Sequence, residues 1–226
     1  MNKKHKKGEA PAADSKPVEP QKTKSKTREY IESLIIAAII AFFVRSFFIQ
    51  AFKIPSSSME PTLLIGDHLL VNRLSYVVKV PFTDIVIFEL DKPVQGDVVV
   101  FRFPVDRSKD FIKRVIAREG DTVEIKDKTI YVNGKKMKDP WGYYSQAPVI
   151  PGDLAPRDNL PSIKVPKDSY FVMGDNRDNS LDSRFWGFVK KEDLVGKAFI
   201  LYFSWNSHPD NPLYYIRWPR IGRVIR

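Results

Sequence analysis

Phe111-Ile112-Lys113-Arg114-Val115-Ile116-Ala117-Arg118 decides how this chain is read. β-branched and aromatic residues dominate it, which suits an extended strand whose alternate side chains point to opposite faces. Phe111, Lys113, Val115 and Ala117 share one face, and Ile112, Arg114, Ile116 and Arg118 share the other. Lys113 is then a lone cation on an otherwise apolar face. A lysine so placed either snorkels out at a sheet edge or stays desolvated, with a lowered pKa, as a neutral base.

Similar short runs surround this one: His68–Asn72, Val98–Phe103, Thr122–Ile125, Thr129–Val132, Tyr170–Met173 and Ala198–Phe203. Five Gly-Asp pairs (at 66, 96, 120, 152 and 174) punctuate them as turn signals. Asn133-Gly134 marks a hairpin. No helical period of useful length follows residue 66. Asp139–Lys167 holds six of the 17 prolines and reads as a long surface excursion. Residues 53–226 are therefore expected to form a mainly β, antiparallel-sheet domain.

Upstream the pattern changes twice. Residues 1–29 are rich in Lys, Pro and Ala without an aromatic residue, too little apolar surface to offset ordering entropy, so they read as a disordered basic tail. Leu34–Val44 is an apolar run of eleven residues. Extended to Ser33–Phe52 it has 20 residues, enough at ~1.5 Å per residue to match a hydrocarbon core of ~30 Å. Arg45 opposes this, at roughly 2.5–3.5 kcal/mol for mid-membrane, unless the span starts near Tyr30 and Arg45 snorkels to the far interface. A buried core helix is the alternative. No Ala-x-Ala cleavage pattern ends the run, so residues 30–52 are expected to be a retained transmembrane helix. Positions 13–32 carry five Lys/Arg and positions 53–72 carry one, which orients the N-terminus to the cytoplasm and the β domain outside.

Composition narrows the chemistry. The net charge is +10, from 37 Lys/Arg and 27 Asp/Glu, and half of it lies in the first 30 residues. The rest is too weakly basic to indicate nucleic acid as a partner. Zero cysteines exclude a thiol nucleophile and a Cys-ligated zinc, and three histidines leave little room for triad chemistry. Ile54-Pro55-Ser56-Ser57-Ser58-Met59-Glu60-Pro61-Thr62-Leu63 brings three hydroxyls between two prolines. It is either a linker turn or a source of a serine nucleophile, for which a lysine can serve as base. The β-lactamase Ser-x-x-Lys spacing fails, since Pro61 stands three after Ser58. Gly174–Gly187 is dense in Asp and Asn but lacks calcium-loop spacing, with Ser183 and Val189 where Gly and Glu are needed after Asp178. It suits a polar turn or the rigid support of a nearby site.

Four blocks in order resemble bacterial type I signal peptidase, the leader peptidase family of Ser-Lys dyad proteases: Pro55–Leu63, Gly96–Phe101, Asp110–Val115 and the GDNRDNSxDSRxWG pattern at Gly174–Gly187. The resemblance runs from about residue 30 to about residue 205. It implies that Ser58 is the nucleophile and Lys113 the general base. It implies that the Ser58 N–H and the Ser56 hydroxyl form the oxyanion hole, that Ser180 hydrogen-bonds and orients Lys113, and that Asp182 and Arg184 hold that loop. Phe52, Ile54, Pro55, Met59, Leu63 and Leu69 would line shallow apolar pockets for a peptide lying along a sheet edge; each equally suits a plain core or a membrane contact. The implied partners are exported preproteins and the bilayer of the bacterial cell membrane, and the mechanism requires no metal or cofactor. Two other classes fit parts of the chain: a membrane-anchored, non-enzymatic β scaffold or adhesion domain, and a self-cleaving Ser-Lys repressor. The latter needs a DNA-binding helix pair where residues 1–52 offer an anchor.

Overall fold

The structure is a computed structural model that describes residues 26–79, 86–145, 148–207, 209 and 214–226. The tail expected over 1–29 lies outside the described residues up to position 25, and its last four residues already belong to a helix. This helix, α1 (Lys26–Phe47), follows from a run of Ile, Leu and Ala, with Glu29 in the first turn and an Arg28–Glu32 pair at 2.9 Å one turn apart. The side chains of Leu34, Ile35, Ile36, Ile39, Ile40 and Phe42 on it are exposed. No helix of the described residues is long and apolar enough to cross a membrane. The chain divides into two compact units, Met1–Ile40 and Ala41–Arg226.

The helix expected to reach Phe52 stops at Phe47. Residues Ile49–Lys53 form strand β1, paired antiparallel with β2 (Asp67–Asn72) from Ile49 opposite Asn72 to Lys53 opposite His68. An apolar stretch of Ile and Phe has no strong preference between helix and strand, and the open ladder of β2 decides it.

β1 is the edge of a seven-stranded antiparallel sheet ordered β1-β2-β13-β5-β6-β11-β12, with β5 Val98–Phe103, β6 Asp106–Arg118, β11 Ser169–Met173, β12 Val189–Lys190 and β13 Leu194–Ser204. A second sheet orders β10-β7-β8-β9, with β7 Thr122–Lys126, β8 Thr129–Val132, β9 Lys135–Lys136 and β10 Leu160–Lys164. β3 (Val77–Lys79) and β4 (Val86–Glu89) form a separate ribbon. The mainly β, antiparallel expectation holds, and all seven runs read as strands lie within strands. β10 was missed because it lies inside the Pro-rich excursion. Asn133 and Gly134 have φ of 54° and 73°, the paired left-handed residues of a tight hairpin turn.

β6 is buried without a break from Lys113 to Ala117, because packing covers it on both faces. Phe111 and Val115 pack with Val99, Phe101 and Val172; Ile112 packs with Val98, Val100 and Leu69. Ala117, expected on the face of Val115, joins Ile116 in a third cluster around Phe171 and Val123. The pairing of β11 with β6 shifts register between Phe171 and Val172, and that irregularity ends strict alternation.

Candidate active site

Residues 54–66 connect β1 to β2. The neck is closed by Ile54 N–H donating to Asp67 O at 2.8 Å and Gly66 N–H donating to Ile54 O at 3.0 Å. Met59 and Leu63 have no exposed surface and anchor the connection in the core, leaving Ser56 exposed and Ser57 and Ser58 half-buried above it. β5 pairing sets Lys113 opposite Val99 on β6, and Lys113 Nζ donates to Ser58 Oγ at 2.6 Å.

Lys113 is 3% exposed. Burial lowers its pKa from 10.5 to about 8; the carboxylates of Asp182 and Asp175 oppose the shift, and the Arg184 guanidinium adds to it. At that value about one lysine in ten is neutral at pH 7, against roughly one in 3,000 for an ordinary one. Ser58 thus touches an amine able to accept its proton. Ser56 Oγ lies 3.5 Å from Ser58 Oγ. The Ser58 N–H enters no hydrogen bond among the described residues, which leaves it free to donate to a developing oxyanion.

The Gly174–Gly187 block wraps the other side. Gly174 is required by close approach: a Cβ there would overlap Ser58 O and Ser180 Oγ. Asn176 N–H donates to Ser58 O at 3.1 Å, its Nδ2 donates to Ser57 O at 3.2 Å, and Asn179 Nδ2 donates to Ser57 Oγ at 3.1 Å. Asp182 receives Arg184 Nε and Nη2, both at 2.8 Å, and accepts the Gly174 N–H at 3.0 Å. Arg184 reaches on to the carbonyls of Arg177 and Arg157.

Ser180 departs from expectation. Its Oγ is buried without a hydrogen-bond partner, so the expected bond to Lys113 is not formed; the hydroxyl packs beside Gly174, and Lys113 Nζ is bonded to Ser58 instead. The six pocket residues also divide. Ile54, Met59, Leu63 and Leu69 are core, between 0% and 2% exposed: the first three anchor the connection, and Leu69 faces inward from β2. Phe52 packs half-buried against them, and Pro55 is exposed. Only these last two retain surface for a substrate.

Several residues at the site were not singled out from sequence. Arg114, on the opposite face of β6 from Lys113, is wholly buried and makes a two-pronged pair with Asp175 at 2.8 and 2.7 Å. Thr62 Oγ1 donates to the same carboxylate at 2.6 Å, and the Trp141 ring stacks 4.5 Å from the Arg114 guanidinium. The excursion contributes too: Tyr143 exchanges backbone hydrogen bonds with Asp175 and Arg177, and Asp139 pairs with Arg177 at 2.8 Å. The one available signal was the density of Asp and Arg in the Gly174 block, which marks paired charges without naming the partners.

The model of the family described as signal peptidase, peptidase S26, matches residues 27–205. A signal peptidase I of Aquifex aeolicus (strain VF5) is 36% identical over 228 residues, covering 78% of this chain and 84% of that protein. A signal peptidase I of Pseudomonas fluorescens is 35% identical over 226 residues, covering 87% and 78%. A crystal structure of a signal peptidase I from Enterococcus faecalis V583 aligns with a TM-score of 0.39 and 30% identity, covering 48% of this chain and 98% of that one.

Proposed function

The chain belongs to the signal peptidase family, peptidase S26, and we propose that it works through Ser58 as nucleophile and Lys113 as general base. Its activity is endoproteolytic removal of N-terminal signal peptides from exported preproteins. The observation that carries the assignment of roles is the 2.6 Å contact between Lys113 Nζ and Ser58 Oγ, with a lysine desolvated enough to be a base.

Neutral Lys113 takes the Ser58 hydroxyl proton as Oγ attacks the scissile carbonyl carbon. The tetrahedral oxyanion is met by the Ser58 N–H and the Ser56 hydroxyl, one such donor being worth roughly 2.7–4 kcal/mol. The Lys113 ammonium gives its proton to the departing amine, and the C–N bond breaks. Water, deprotonated by the regenerated amine, then hydrolyses the acyl-enzyme. Among the described residues β1 pairs with β2 alone, so its free edge can receive an extended peptide beside Phe52.

The proposal extends to the membrane. The N-terminal apolar segment of the sequence anchors the chain in the bacterial cell membrane, with the N-terminus cytoplasmic and the β domain outside. The apolar run Leu34–Val44, the exposed side chains of Leu34, Ile35, Ile36, Ile39, Ile40 and Phe42, and the Lys/Arg excess of positions 13–32 over 53–72 support this reading. The deciding experiment is incubation of the detergent-solubilised protein with a preprotein, beside its Ser58→Ala form. Cleavage by the parent and none by the variant is expected; equal cleavage by both would remove Ser58 from its role, and none by either would favour a scaffold.

A further inference from the structure

Asn176 holds the two consecutive carbonyls that flank the Ser58 Cα: its side-chain Nδ2 donates to Ser57 O at 3.2 Å and its backbone N–H donates to Ser58 O at 3.1 Å. A peptide unit is rigid, planar and trans, so the C=O of residue 57 and the N–H of residue 58 point in opposite directions within one plane. Fixing the oxygen fixes the direction of the hydrogen. Holding the next carbonyl fixes the following plane as well. One residue therefore sets both soft dihedrals of Ser58, and with them the aim of its N–H and the origin of its Oγ.

We propose that Asn176 is a positioning residue that aims the Ser58 N–H at the oxyanion. The proposal rests on the reading of Ser58 as nucleophile.

The Asn176 side chain itself argues that it is there to donate. It is 6% exposed, and its Oδ1 is buried with no hydrogen-bond partner. Turning the amide over would set Oδ1 against Ser57 O, two acceptors facing each other, so Nδ2 has to face the carbonyl. A site that only needed packing would be better filled by an apolar side chain of this size, since an orphaned acceptor costs stability. Asn176 is in turn held in place: it bridges Tyr143, and its carbonyl accepts the Asn179 N–H at 3.1 Å. Asn179 returns to the same peptide unit through its 3.1 Å bond to Ser57 Oγ.

The test uses the full chain in detergent, with a preprotein-derived peptide as substrate and a peptide aldehyde as inhibitor. The aldehyde forms a hemiacetal with the serine whose oxygen reports on the oxyanion donors. Asn176→Leu should lower kcat on the order of 10–10². KM should stay within about threefold, since ground-state binding is untouched. Aldehyde inhibition should weaken by the same factor as kcat/KM, and the alkaline midpoint of the pH–rate profile should not move, since Lys113 is not involved. A kcat within about twofold of the parent, a loss carried by KM, or a displaced midpoint would each overturn the proposal. Thermal unfolding shows whether the variant is folded. If it is not, the pair nearer the surface decides: Ser57→Ala and Asn179→Ala should each lower kcat a few-fold, and the double variant no further than the worse single one. Additive losses, or none, would overturn it. Ser58→Ala separates the two readings: residual cleavage by that variant removes the nucleophile, whereas a dead Ser58→Ala beside an unaffected Asn176→Leu removes only the positioning role.

Discussion

Lys113 Nζ and Ser58 Oγ, 55 positions apart in the chain, meet at 2.6 Å in a place where Lys113 is almost wholly desolvated. The same burial that costs stability suits the lysine to the role of base proposed for it. A lysine in water would hold its proton at neutral pH and could not accept another from a serine.

Cleavage should therefore follow the titration of Lys113. Its folded pKa is about 8, so kcat/KM should rise with pH through a midpoint on the mildly alkaline side and level off above it. A profile flat from pH 6 to 10 would leave Lys113 without a role as base.

Stability should run with the same group. The folded pKa of about 8 lies below the ordinary 10.5, so between these values the unfolded chain holds a proton that the folded one lacks. Stability contributed by this site thus rises with pH across that window, and the full penalty, about 3 kcal/mol, applies below it. Lys113→Met should be inactive yet melt higher than the parent at pH 7, with the advantage shrinking toward pH 10.5. Lys113→Arg should be inactive as well, since guanidinium stays protonated. Calorimetry across pH, with activity of both variants, checks this; an active Arg variant would mean the site needs charge and no base.

The three serines should separate. Ser58→Ala should abolish cleavage, by a factor on the order of 10⁶. Ser56→Ala should lose on the order of 10²–10³ as one oxyanion donor goes. Ser57→Ala should fall least, because its hydroxyl only anchors to Asn179. Rates measured on one preprotein order them, and a Ser57→Ala as damaged as Ser58→Ala would contradict the geometry.

Asp175→Ala should destabilise the fold by about 3–5 kcal/mol, because it leaves the wholly buried Arg114 cation unpaired. Thr62→Val, which removes one hydrogen bond to the same carboxylate, should cost about 1 kcal/mol. Denaturant unfolding of both variants measures the contrast; equal small losses would show that Arg114 finds another partner.

Topology gives a separate test. Protease added outside spheroplasts should reach the β domain and spare an epitope on the basic tail, because the Lys/Arg excess lies before α1. Digestion of the tail epitope from outside would reverse the orientation.

The alternation of β-branched residues with Gly-Asp and Asn-Gly turns was enough to read a β domain, because strand period and left-handed turns are local properties. Even there the rule has limits: Asp127 and Lys128, with φ of 45° and 66°, make the turn from β7 to β8 without a glycine to announce it. Strand period alone offered Lys113 as either a snorkelling cation or a neutral base, and the roles proposed for it and for Ser58 came from whole motifs that resemble a family.

The residues that sequence determined are those whose role depends on neighbours in the chain: the strand that buries Lys113, the hairpin at Asn133-Gly134, the apolar run of α1 and the charge excess before it. Tertiary structure alone decided the rest. It turned residues 49–52 from helix into an edge strand because β2 offered a ladder, and it made Met59 and Leu63 core because the serine connection needed anchoring and Leu69 core because it faces inward from β2. It joined Arg114 to Asp175 across 61 positions and Asn176 to the Ser57 carbonyl across 119. Such pairs leave no period in the chain. They exist only once the sheet has ordered its strands and each buried polar group has had to find a partner away from water.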